Sequence, residues 1–256
     1  MALRVAIGIG VGALLVLLAV KGRLLTLSGA LCAFLLLLDI LLLGGYAPAV
    51  YIITVFLLSG LVGRLAGKNK EASPHKPRGI GQVAANGGAA GLAVLLYGIF
   101  GSPALLVAYY AAVAEFFTDT LASDIGVHAK GRPLDLARMK RTERGRSGGV
   151  SLLGTAASAI GAAISYLLAL GAGLSAVEAA VAATAAFVGM LIDSLLGSLL
   201  QAKYVCTACA AYTEKPLHCG VRAKKTGGLA LVTNSTVNLI SNLLAAILSA
   251  VAFGLL

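Results

Sequence analysis

Eight apolar stretches of bilayer-crossing length follow one another along this 256-residue chain, at about 2–20, 24–43, 46–65, 80–100, 103–122, 149–171, 175–200 and 229–256. A membrane helix needs about 20 mainly apolar residues, and eight of them absorb nearly all the apolar residues of a chain that is 59% hydrophobic. Only 12% of the residues are charged and the mean hydropathy is +0.95, whereas a soluble domain carries about 25% charge. The longest polar stretch, 201–228, is too short for a soluble domain of ordinary size. The expected fold is therefore all-α: one integral membrane domain over residues 1–256, a polytopic bundle of about eight transmembrane helices. The first run has no small-residue cleavage pattern behind it and a second run follows at once, so it reads as a span and not as a signal peptide.

The charges are sorted by connection. Those after spans two, four and six are short and uncharged, GGYAP and GSP among them, whereas the other four hold every Lys and Arg except Arg4. Lysine and arginine are retained on the cytoplasmic side of membranes, which predicts cytoplasmic basic loops with both termini outside. The formal net charge of +10 is thus a topology signal. Nucleic acid is excluded as a partner, because no aromatic residues interleave with the charges and no DNA-binding motif is present.

Chemistry in such a chain must come from polar groups that the bilayer disfavours, since a carboxylate at mid-membrane costs at least about 2.5–3.5 kcal/mol. Span five ends AEFFTDTLASDIG, with Glu115 and Asp119 one turn apart on one face and Asp124 further round the helix. Span seven carries Gly189, Asp193, Gly197 and Gln201 at steps of four, span eight Asn234, Asn238 and Asn242, and span four Gln82 and Asn86. The predicted topology puts Asp119, Asp124, Asp193, Gln201, Gln82, Asn86, Asn234 and Asn238 in the cytoplasmic leaflet. Asp39 falls at the outer end of span two, where it is expected to serve helix packing or the interface.

Two loops add further signals. Residues 138–155, RMKRTERGRSGGVSLLGT, run from basic residues into glycines and then into span six. Free backbone N–H groups at a helix N-terminus favour anions, and arginine offers bidentate phosphate contacts. Arg144, Arg146, Ser147, Gly148, Gly149 and Ser151 are accordingly expected to cradle phosphate. Hard oxygen ligands facing such a cradle suit a Mg²⁺-nucleotide, although no G-x-x-x-x-G-K-[ST] motif occurs. In the last basic loop, Cys206-x-x-Cys209 with Cys219 nearby has the spacing of a small zinc turn that would hold the segment 201–228; adjacent His218 and Cys219 rarely both bind one ion.

The segments GQVAANG, FFTDTLASDIG, GRSGGVSLLGT, DSLLGSLLQ and TNSTVNLIS, spread over residues 78–242, together resemble the integral membrane family that includes phytyl-phosphate kinase, with a more distant similarity to dolichol kinase and CTP-using phosphatidate cytidylyltransferases. The chain departs from that pattern at Leu121, Asp124 and Ser235. The resemblance implies a kinase that transfers phosphate from CTP to a prenyl monophosphate; with the carboxylates and the charge pattern it gives the expectation of a Mg²⁺-dependent enzyme of the cell membrane, its active site facing the cytoplasm. Asp119, Asp193 and Arg146 would be catalytic, with Asp119, Asp124 and Asp193 on Mg²⁺. Gln82, Asn86, Arg144, Ser147, Gly148, Gly149, Ser151, Gln201, Asn234 and Asn238 would bind nucleotide or substrate. The expected partners are CTP, a prenyl monophosphate, the bilayer and a second copy of the chain. A cation- or proton-coupled transporter and a lipid cytidylyltransferase are the competing readings.

Overall fold

The computed structural model describes residues 2–67 and 77–255. Lys68, Lys70 and Lys76 of the third connection lie outside them. Among the described residues, eight helices follow the eight apolar stretches: α1 (Ala2–Lys21), α2 (Leu27–Asp39), α3 (Tyr46–Gly67), α4 (Ile80–Phe100), α5 (Pro103–Gly126), α6 (Leu152–Gly171), α7 (Ala176–Leu199) and α8 (Asn234–Gly254). α2 runs on into a π-helical turn, Ile40–Gly44. Among the described residues, seven of these segments are long and apolar enough to span a bilayer, and the apolar part of α1, Gly8–Lys21, is shorter. The chain is an integral membrane protein with a multi-pass helical fold.

Helix boundaries follow local chemistry. Thr26, Ser151, Ser175 and Thr233 each cap a helix by accepting a backbone N–H with the side-chain oxygen, which satisfies donors the first turn leaves unpaired. Pro103 opens α5, where its missing N–H costs nothing. The sequence places the start of span six at 149; the helix starts at 152, because Ser151 is its cap and Gly149–Val150 form a strand.

α5 is the hub. It packs against α3, α4, α6, α7 and α8, and 78% of its membrane window is buried, against 28–39% for the others. Its sequence VAYYAAVA is apolar on every face, as a fully enclosed helix requires. Small residues set the approach distances: a Cβ on Gly154 of α6 would lie 2.8 Å from the Ala122 carbonyl, and one on Gly189 of α7 would lie 2.6 Å from Glu115 Cγ and 2.9 Å from Ala245 Cβ. Such contacts are how membrane helices associate without a hydrophobic driving force between them.

Two polar connections contain structure that hydrophobic patterning does not announce. Between α5 and α6, β1 (Leu134–Asp135) pairs antiparallel with β2 (Lys140–Arg141) and β3 (Gly149–Val150). Between α7 and α8, β4 (Lys203–Val205) pairs with β5 (Tyr212–Thr213) and β8 (Lys224–Gly227), and β6 (Leu217–His218) forms a hairpin with β7 (Val221–Arg222). The two units meet at one end of the bundle through a Ser147–Glu214 hydrogen bond, and Arg138 of the first reaches Ser198 at the foot of α7. At the same end, Arg78 is tied by backbone hydrogen bonds to Leu24 and Thr26 between α1 and α2.

Candidate functional site

The intramembrane carboxylates converge where α5, α7 and α8 meet. Glu115 is 1% exposed, and neither of its carboxylate oxygens has a hydrogen-bond partner among the described residues. The charges of Asp119 and Asp193 both act on it, and Asp193 and Asp124 act on Asp119. Asp193 accepts a hydrogen bond from Ser241 of α8 at 3.0 Å. A polar ladder continues from there. Asn242 donates to the Asn238 carbonyl at 2.8 Å, Asn234 donates to the Asn238 side chain at 3.1 Å, and Asn238 donates to Asn86 of α4 at 3.0 Å. The carboxylates and asparagines named from the sequence therefore do meet across α4, α5, α7 and α8. The stripe of small residues on α7 explains how, since Gly189 leaves room for Glu115.

Two residues of this centre carried no site role in the sequence reading. Glu115 was legible only as a face-mate of Asp119. Arg78 looked like one basic loop residue among many, yet its guanidinium is drawn to Asp124 and Asp119 and stacks 5.2 Å above the Phe116 ring. Burial pulls Arg78 below the usual arginine range, and the two carboxylates oppose that shift. The signal available was position, directly ahead of the GIGQVAANG segment that opens α4.

An apolar cavity of about 270 Å³ leads away from Arg78. Leu15 of α1, Phe34 of α2, Ile53 and Phe56 of α3, Val83 of α4 and Val113 of α5 line it, and its polar atoms come from Arg78, Gln82 and Asn86. Gln82 also closes the α4 cap by accepting the Gly79 N–H at 3.3 Å. Asp39 lies elsewhere, facing Gly91 of α4.

The loop 138–155 does not form the open cradle expected of it. Gly148 has φ +82, and a Cβ there would fall on the Ser198 backbone, so its missing side chain makes room for α7 and not for a ligand. Ser151 donates to the Gly126 carbonyl and caps α6, each at 3.1 Å. Gly149 is held in β3, Ser147 binds Glu214, and Arg144 donates to the Lys130 and Gly131 carbonyls. Gln201 is buried beneath the loop, and its amide nitrogen has no hydrogen-bond partner among the described residues. Arg146 alone among the expected cradle residues faces an open cavity. It pairs with Glu143 at 2.9 Å and lies 4.8 Å above the Tyr212 ring.

That second cavity, about 380 Å³, lies between the two small sheets and is strongly basic: Arg138, Lys140, Arg141, Arg146 and Lys203 line it, with Asp135 as its one acid. Burial pushes the Asp135 carboxyl up, but the Ser198 hydroxyl and the Arg138 N–H and guanidinium outweigh it and hold the group below the usual carboxylate range. Lys203 is lowered chiefly by burial and donates to the Ser198 carbonyl at 2.6 Å. Asp193 and Ser198 are five residues apart on α7, about 7–8 Å along the axis, so the basic cavity and the carboxylate centre share that helix.

Among the described residues, the one group of three or more His, Cys, Asp and Glu side chains placed to share a metal ion is Cys206, Cys209, His218 and Cys219. Asp119, Asp124 and Asp193 do not form such a group by themselves among the described residues, although the charges of Asp119 and Asp124 both act on Arg78.

A sequence profile of the integral membrane protein family DUF92 matches residues 10–246. The uncharacterized membrane protein MJ0933 of Methanocaldococcus jannaschii is 27% identical over 208 residues, 78% of this chain and 85% of that protein. Protein PGR of Arabidopsis thaliana is 29% identical over 146 residues, 52% of this chain and 50% of that protein, so the match spans half its length. No solved structure matches the chain.

Proposed function

We propose that this chain, which belongs to the integral membrane protein family DUF92, is a membrane phosphotransferase that moves the γ-phosphate of CTP onto a prenyl monophosphate. One observation carries the reading. An apolar cavity among α1–α5 ends in Arg78, Gln82 and Asn86, and these residues adjoin the carboxylate centre. That arrangement suits an amphiphile with a hydrocarbon tail and a single anionic head. The basic cavity at the foot of α7 supplies the charge a nucleotide triphosphate needs.

In the reaction, a phosphate oxygen of the prenyl monophosphate attacks the γ-phosphorus of CTP. The bond from that phosphorus to the β-phosphate bridging oxygen breaks, and CDP leaves with the electron pair. The nucleophile is already anionic, so no strong general base is required; catalysis is mainly alignment and charge stabilisation. Arg78 holds the acceptor phosphate, while Arg146 and its basic neighbours hold the nucleotide. The carboxylate centre fits a hard cation, since Glu115 keeps two oxygens with no hydrogen-bond partner among the described residues in a buried site. Mg²⁺ is usually held by one or two carboxylates and completed by substrate phosphates. Asp119 and Asp193 would hold it, with Asp124 beside them, and bound Mg²⁺ would supply neutralisation of phosphate charge.

Purified protein should be given Mg²⁺, geranylgeranyl phosphate, and CTP labelled at either the α- or the γ-phosphate. Transfer of γ-label alone to the lipid is the expected result. Transfer of α-label would identify a cytidylyltransferase. Absence of either product, with substrate-driven ion flux in vesicles, would replace the kinase with a carrier.

A further inference from the structure

We propose that Cys206, Cys209, His218 and Cys219 form a structural zinc site that fixes one wall of the basic cavity. Their ligand atoms all lie within 4.8 Å of one another. With Zn–S of about 2.3 Å and Zn–N of about 2.0–2.1 Å, a tetrahedral site has S···S edges of about 3.8 Å and S···N edges of about 3.6 Å. Cys209 and Cys219 are 3.7 Å apart at sulfur, and His218 Nδ1 lies 3.5 Å from Cys209 Sγ and 3.2 Å from Cys219 Sγ. These are the edges of a metal-sized tetrahedron, far longer than a disulfide bond of about 2.05 Å.

Backbone conformation brings two adjacent residues, His218 and Cys219, to one ion. Cys219 adopts φ 51 and Ala210, directly after Cys209, adopts φ 56. Residues with side chains take up this left-handed region only when their surroundings over-determine it, and both positions here turn the chain back toward the cluster. Cys206 is buried, and its sulfur accepts the Ala208 N–H at 3.4 Å, the kind of outer hydrogen bond that orients a thiolate ligand. Four protein ligands leave no open position, which marks a structural and not a catalytic zinc.

The site clasps strands of two or three residues that have little apolar core of their own. Cys206 follows β4 and Cys209 lies in the turn to β5, whereas His218 closes β6. β4 carries Lys203 and β5 carries Tyr212, both of which line the basic cavity. Binding free energy at such a site is folding free energy for the segment.

The full chain in detergent, exchanged into Zn²⁺ and washed with a weak chelator, should retain about one zinc per chain by mass spectrometry. Replacement by Co²⁺ should give thiolate-to-cobalt charge-transfer bands with tetrahedral d–d bands. His218→Cys should keep the metal with a shifted cobalt spectrum, whereas Cys206→Ser/Cys209→Ser should lose it. Stripping the metal should raise tryptic cleavage at Arg222 and Lys224 at least tenfold and leave the membrane helicity unchanged. Wild-type protein that retains no zinc, with its loop thiols reacting as fast as free cysteine, would overturn the site. A His218→Ala variant with an unchanged cobalt spectrum would overturn the four-ligand set. Neither outcome depends on kinase activity.

Discussion

At single residues, the carboxylates and Arg78 carry the clearest consequences. Asp119→Asn and Asp193→Asn keep side-chain shape and lose charge. Each should lower γ-phosphate transfer by roughly a hundredfold or more, the scale of removing one electrostatic partner of a transition state, while the protein remains extractable as a monodisperse peak. Asp39→Asn should be nearly silent, because Asp39 faces Gly91 and not the centre. Equal loss from all three variants would point to a packing role. Arg78→Ala removes a charge-assisted contact of about 1.5–3 kcal/mol and should raise KM for the prenyl phosphate about ten- to a hundredfold, with nucleotide KM unchanged. Asp135 titrates with a definite sign. Its carboxyl is held below the usual range in the fold, so its contribution is present above about pH 4 and is lost as the pH falls through its lower folded value. Amide exchange over 134–150, corrected for intrinsic rates, should accelerate there, and Asp135→Asn should show the faster exchange already at neutral pH. The sequence disclosed Asp119, Asp193 and the asparagines because charge and amide groups inside apolar runs stand out. Arg78 stayed hidden among basic loop residues, since composition cannot say which of them turns back into the bundle. Gly148 misled for a related reason: a glycine before a helix signals close approach without saying what approaches.

At the scale of elements, packing rests on where side chains are absent. Gly189→Val would press on Glu115 and Ala245 together and should cost about 1–3 kcal/mol, as overpacking does, read as a lower melting temperature in detergent. Gly10→Ala meets nothing within 4 Å and should leave the melting temperature unchanged. The eight helices were legible because each is a long apolar run bounded by charge or by cap residues. The small sheets were not, because two- to four-residue strands are too short to display an alternating pattern. Their positions are set by tertiary contacts such as Arg138 with Asp135, at 3.0 Å, and Asp135 with Ser198. The same holds for the basic cavity: its lining comes from two loops 60 or so residues apart in sequence, and only folding brings Arg138, Arg146 and Lys203 to one wall.

For the whole molecule, the charge pattern makes a prediction about orientation. Fusions after Gly254 should give active alkaline phosphatase and dark green fluorescent protein if the C terminus is outside, and bright fluorescence would reverse the assignment and move both cavities to the other face. The central helix has a consequence for biogenesis. α5 has the lowest mean hydropathy of the seven candidate spans, 1.3, and carries Glu115, Asp119 and Asp124. Each acidic residue costs about 2.5–3.5 kcal/mol at a helix centre on the insertion scale, so a nascent α5 leaving the ribosome partitions poorly into lipid by itself. It must be detained at the translocon, or shielded by a chaperone, until α6, α7 and α8 are synthesised and offer their polar faces. In ribosome-stalled chains ending just after α5, a cysteine placed in α5 should therefore still crosslink to the translocon, and chains extended through α8 should lose that crosslink.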